Sequence, residues 1–170
     1  MAAGATYTPI ATQTASGSVS SLTFSSIPQT YTDLVLILGS LDMPAGSAPW
    51  IQFNGDTSTN YSVTVLEGSG SSATSNRRTS FSRILAGYNV TSNGSGQTEN
   101  LIWNIQNYTN STTYKTIIGR WNSPVASYPG VNANVGLWRN TAAITSFVVS
   151  NDLGNFTAGS TFTLYGIASA

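Results

Sequence analysis

The sequence predicts an all-β fold, a single antiparallel β-sandwich of jelly-roll type with about ten strands. Three observations carry this. No window keeps an apolar period of 3.6 residues over three turns; short extended runs are instead broken by Gly, Pro, Asn and Ser. In Thr32 to Ser40 (TDLVLILGS), Leu34, Leu36 and Leu38 fall on one side of an extended strand and Val35, Ile37 and Gly39 on the other. Such a run is a central strand shielded on both faces, and at nine residues it is too short to cross a bilayer. Finally, so many strands in one domain divide into two packed sheets, because a single open sheet of that width curls or splits.

Taken in order, the expected strands are Tyr7 to Thr14, Val19 to Phe24, Thr32 to Ser40, Trp50 to Asn54, Tyr61 to Leu66, Thr79 to Ala86, Glu99 to Tyr108, Tyr114 to Trp121, Val135 to Arg139, Ile144 to Ser150 and Ser160 to Ala168. The last alternates Phe162 and Leu164 against Thr161, Thr163 and Tyr165, which makes it the best partner for Thr32 to Ser40 and joins early chain to late chain. The expected core comprises Leu34, Leu36, Leu38, Leu101, Trp103, Ile105, Phe162 and Leu164, each on a consistently apolar strand face.

Two connections are tight: Asn54-Gly55 suits a turn with positive φ, and Asn107 to Thr113 suits a short hairpin link. Four are long: Gly39 to Pro49, Glu67 to Arg78, Gly87 to Thr98 and Asn122 to Asn134. The second, EGSGSSATSNRR, reads as a flexible loop by composition. Residues 1 to 6, MAAGAT, read as a short N-terminal arm on one domain spanning residues 1 to 170.

Composition argues against most chemistry. The chain has neither Cys nor His, and its 7% of charged residues divide into six basic and six acidic side chains. That excludes a disulfide framework and a thiolate zinc site, and it provides no electrostatic footprint for nucleic acid. A nucleophile–base pair would need Lys115 or a carboxylate of raised pKa, yet the six acids occur one at a time. The expectation is a non-enzyme without cofactor or metal; the run FNGDTSTN has too few acids for a calcium loop and reads as a hydrogen-bonded hairpin turn. The N-terminus lacks a basic region followed by an apolar one, and no segment is long enough to span a membrane, so synthesis in the cytoplasm and no membrane partner are expected.

The candidate contact residues are therefore aromatic or cationic. Arg77, Arg78 and Arg83 cluster at the end of the flexible loop, as anchors for carboxylates on a neighbouring chain or as a solvated loop end. Trp103 shares a face with Leu101 and Ile105 and belongs to the core. Trp138 opposes Leu137 and Arg139, which marks it as an outward ring, and Trp50 and Tyr128 stand beside Pro49 and Pro129 at loop edges. Each of these three rings suits either the core or a subunit interface, or else a sugar-stacking platform.

Five runs, SSIPQTYTDLVLILGS (25 to 40), FNGDTSTNYS (53 to 62), NYTNSTTYKTIIGR (107 to 120), GLWRNTAAITSF (136 to 147) and GNFTAGSTFTLYGI (154 to 167), resemble small β-rich virion proteins of tailed bacteriophages of the marine and cyanobacterial type. The resemblance implies a structural protein of the virion, with two roles open. In one, the chain is a capsid decoration (cement) protein on the capsid surface, a homotrimer at three-fold positions bound to the major capsid protein. In the other it is a receptor- or glycan-binding module of a tail fibre or tail tip. The sandwich pattern fills the chain from residue 7 and leaves no room for a fibre shaft, which favours the decoration protein.

Overall fold

The computed structural model describes residues 6–87, 92, 94, 96, 98–124 and 130–168. It contains twelve strands: β1 (Tyr7–Thr14), β2 (Ser21–Phe24), β3 (Asp33–Leu41), β4 (Pro49–Phe53), β5 (Tyr61–Gly68), β6 (Ala73–Phe81), β7 (Ile84–Leu85), β8 (Glu99–Gln106), β9 (Lys115–Ser123), β10 (Gly130–Trp138), β11 (Phe147–Asn151) and β12 (Thr161–Ile167). They form two antiparallel sheets packed as a sandwich, one of eight strands in the order β1-β12-β3-β8-β9-β10-β5-β6 and one of four in the order β2-β11-β4-β7. No helix occurs among the described residues.

The pairings nest. β1 pairs with β12 and β2 with β11, β3 pairs with β8 and β4 with β7, so early strands meet late strands like the two arms of one long hairpin. Rolling that hairpin brings β12 against β3 and β11 against β4. Two hairpin insertions lie outside the nest: β5–β6 falls between β4 and β7, and β9–β10 between β8 and β11. Both join the large sheet beyond β8, which gives it four extra strands that the small sheet does not match.

Between the sheets, Leu34, Leu36 and Leu38 of β3 meet Leu101, Trp103 and Ile105 of β8 and Phe162 and Leu164 of β12, all fully buried. Leu36 is opposite Leu164 on one side and Trp103 on the other, so β3 has strands along both edges. Only its Leu34, Leu36 and Leu38 face lies in the core; Val35, Ile37 and Gly39 are on the outside of the sandwich, with Ile37 and Gly39 half-buried, so β3 is not shielded on both faces. From the small sheet, Leu22, Phe24, Ile51, Phe53, Phe147 and Val149 complete the core. Burial of these side chains is the main stabilising term, at about 1.5–3 kcal/mol each for the large aliphatic and aromatic ones.

Three connections differ from the sequence expectation. The segment from Glu67 to Arg78 is no flexible loop: β5 continues to Gly68, residues 69–72 turn, and β6 runs back as a nine-residue edge strand in register with it. Its Ser- and Asn-rich composition hides a strand whose backbone bonds, made on one side only, need no apolar side chains. The expected loop from Asn122 to Asn134 is mostly strand as well, because β9 reaches Ser123 and β10 begins at Gly130. The run FNGDTSTN does turn, with Asn54 and Gly55 at φ of 49° and 67°, but it forms no hairpin: it carries the chain from β4 in the small sheet to β5 in the large one. Residues 1–5 of the expected arm, and most of the Gly87 to Thr98 loop, lie outside the described residues.

Candidate functional site

β10 has its apolar side chains on the side that faces solvent. Its sequence alternates Gly130, Asn132, Asn134, Gly136 and Trp138 inward with Val131, Ala133, Val135 and Leu137 outward. The inner face is small and polar because other groups already fill the space. A Cβ on Gly119 of β9 would lie 2.5 Å from the Trp103 indole, and one on Gly136 would lie 2.6 Å from Ile84. Asn134 is satisfied there, donating to the Ala86 carbonyl at 2.9 Å and accepting from Trp103 Nε1 at 3.4 Å. Apolar residues on β10 are thus left for the outer face, where Val131 is 63% and Val135 54% exposed.

Neighbouring strands extend that surface. Register places Ile102, Arg120, Ala133, Leu66 and Ser75 in one row across β8, β9, β10, β5 and β6. The next row runs Asn104, Ile118, Val135, Thr64, Arg77. Leu66 is 58% exposed and Ile118 41%. Here the outer face forms an open trough of about 940 Å³, floored by Leu66, Ile102, Val131 and Ala133 with Asn100, Asn122 and Arg120 among them. A smaller hollow of about 280 Å³ continues on the same face from Ile118 past Asn104 and Val35 to Tyr7. Exposed apolar surface gathered in one concavity is the usual mark of a contact site on a protein.

The sequence-predicted site residues are distributed differently from expectation. Trp138 is not an outward ring. It is 1% exposed, stacks on Tyr61 with 6.2 Å between centroids, and donates from Nε1 to Asp56 Oδ2 at 2.7 Å. Its facing follows the inverted pattern of β10, in which the flanking Leu137 and Arg139 mislead. The three arginines are not one cluster either, because Arg77 and Arg78 are consecutive on a strand and point to opposite faces. Arg77 joins the outer face beside the trough. Arg78 lies over the Phe81 ring at 5.7 Å, and Arg83 lies 5.2 Å from both Phe81 and Trp50. Thus Arg78, Arg83 and Trp50 do meet, in a ladder of guanidinium and ring that fixes the β6–β7 crossing. Tyr128 lies outside the described residues.

Sequence reading missed the trough because residues 122 to 134 read as loop, although Val131, Ala133, Val135 and Leu137 alternate at strand period. The groups with catalytic potential are held by the fold. Lys115 is buried and donates from Nζ to the carbonyls of Thr113 and Thr141, both at 2.9 Å; burial pushes its pKa down. Glu99 is buried, accepting from Trp121 Nε1 at 3.0 Å and Ser123 Oγ at 3.2 Å. Burial raises the Asp56 pKa, but bonds from Asn60, Trp138 and Ser58 outweigh it and hold the carboxyl below its ordinary 3.8. Among the described residues no three acidic side chains gather as a metal site would require.

No family model, no curated protein and no solved structure matches this chain.

Proposed function

We propose that the chain is a structural protein of a tailed-bacteriophage virion, a capsid decoration (cement) protein that attaches to the major capsid shell through the outer face of its large sheet. The single observation that supports this most is the apolar trough, an exposed concavity on the outer face of the large sheet. The nested strand pairs support it, since on this reading the rolled hairpin that places β1-β12-β3-β8 over β2-β11-β4-β7 is a jelly roll, a fold common among capsid proteins. On this reading the protein is no enzyme, takes no cofactor, and sits at the capsid surface as a homotrimer on three-fold positions. With so few charges, attachment rests mainly on apolar contact, neutral hydrogen bonds and arm docking, which salt does not weaken, and arginines only supplement it.

The test is stoichiometry followed by washing. Quantitative mass spectrometry of purified virions is expected to find the protein at many copies per shell, whereas a receptor- or glycan-binding tail tip would occur in a handful. Shells washed at about 1 M salt, where charge pairs are screened within about 3 Å, are expected to keep it. Wholesale release at that salt would overturn the attachment mechanism, and absence from virions the whole reading.

A further inference from the structure

A formal net charge of zero conceals an asymmetry of placement. Five of the six carboxylates are buried or accept a hydrogen bond from the fold, although Asp152 is itself exposed; Asp42 is half-buried, with no partner for Oδ1. Glu67 and Glu99 are buried; Asp33 accepts from the Asn107 amide, Asp152 from the Ala48 amide, and Asp56 from Trp138; Asp42 Oδ1 is shut off from solvent. Among the six basic side chains, Lys115 is buried, Arg139 donates to the Thr59 and Tyr61 carbonyls, and Arg78 and Arg83 lie on rings. Arg77 and Arg120 remain, both exposed and both on the outer face of the large sheet. From β8 to β6 no carboxylate side chain points to that face: of the two acids on these strands Glu99 is buried, and Glu67, which borders the trough, is buried as well and accepts from Asn76 Nδ2 at 3.1 Å.

We propose that the trough holds an extended segment of an acidic partner protein, its apolar residues on Leu66, Val131 and Ala133 and its carboxylates paired with Arg120 in the floor and Arg77 beside it. This names the partner chemistry for the attachment face and rests on the reading above. Charge complementarity selects the occupant: an acidic segment finds two exposed guanidiniums on a face to which no carboxylate side chain points. Size agrees. Five strands at about 4.8 Å spacing make the trough about 19 Å across, the length of about six extended residues. The apolar floor provides the contact, and the arginines choose the sign of the partner.

The experiment titrates the full chain with three synthetic peptides of about eight residues, alternating Val with Glu, Lys or Ser, and follows backbone amides by NMR. The Val-Glu peptide is expected to saturate, to shift amides of β8, β9, β10, β5 and β6, and to bind at least about tenfold more tightly than the Val-Lys peptide. Val131→Asp, at a position 63% exposed and thus tolerated by the fold, is expected to weaken it by a further factor of about ten. The double variant Arg77→Glu with Arg120→Glu is expected to reverse the preference toward the Val-Lys peptide. Absence of saturable binding, equal binding of the Ser or Lys peptide, or concentration-dependent self-association abolished by Val131→Asp would each overturn the proposal. Shell loading separates it from the broader reading. If Val131→Asp loads shells as well as wild type, the trough proposal fails and the decoration reading stands; if wild type is absent from virions while the Val-Glu peptide binds, the reverse holds.

Discussion

Gly119→Ala adds one carbon at a crowded point on the inner face of the large sheet. That carbon would stand 2.5 Å from Trp103 Cδ1 and from Asn134 Oδ1, and 2.6 Å from Trp103 Nε1, where ordinary contact begins near 3.4 Å. The indole and the amide must therefore retreat by about 1 Å, and neither is free to do so, since cores at crystalline packing density hold no spare space. Trp103 is fully buried, and Asn134 is tied to the Ala86 carbonyl. Overpacking of this kind costs about 1–3 kcal/mol, and stretching the buried Asn134 bonds adds about 1–2 kcal/mol. Reduced freedom of the unfolded chain returns about 0.4–1 kcal/mol. The net expectation is a loss of about 1–5 kcal/mol, read as a lower urea midpoint at unchanged slope, together with altered near-ultraviolet circular dichroism from the displaced indole. Gly17→Ala is the control, because a Cβ there meets nothing within 4 Å; it is expected to stay within about 0.5 kcal/mol of wild type. A loss below about 1 kcal/mol for Gly119→Ala, or equal losses for the two variants, would refute the packing argument.

Leu36→Ala removes a fully buried side chain between Leu164 and Trp103 and is expected to cost about 2–5 kcal/mol in urea unfolding, with a loss under about 1 kcal/mol contradicting its central placement. Asp56 has a folded pKa below its unfolded 3.8, so the stability it contributes is full above that value and is lost as pH falls through the folded one. Asp56→Asn is therefore expected to show a shallower fall in stability between neutral pH and acid than wild type, measured by urea titration at several pH values; identical acid slopes would show that the carboxylate is not the group holding Trp138.

Much of the fold was legible in the chain because strand signals are local. The two-faced apolar run at β3 and the alternation of β12 identified a central pair, and Leu36 does stand opposite Leu164. All eight expected core residues are fully buried. β6 was not legible, since an edge strand supported by β5 and rich in Ser, Asn and Arg carries no apolar signature. Arg77 and Arg78 looked like one patch because adjacency in sequence, on a strand, means opposite faces in space. The trough escaped for a related reason: its floor is built from single residues on β8, β9, β10 and β5 that only strand register brings together.

By itself the sequence determined that this is a β protein, roughly where its strands run, which strands form its centre, and that its polar chemistry lacks His and Cys. Only the tertiary structure decided which side of β10 meets the core. A period of two defines two faces but not which of them is covered, and here the Trp103 indole and Ile84 occupy the space behind Gly119 and Gly136. That occupancy sends Val131, Ala133 and Val135 outward and draws Trp138 in to Asp56. Facing is settled by what lies across the sheet, and the residues across the sheet are distant in the chain.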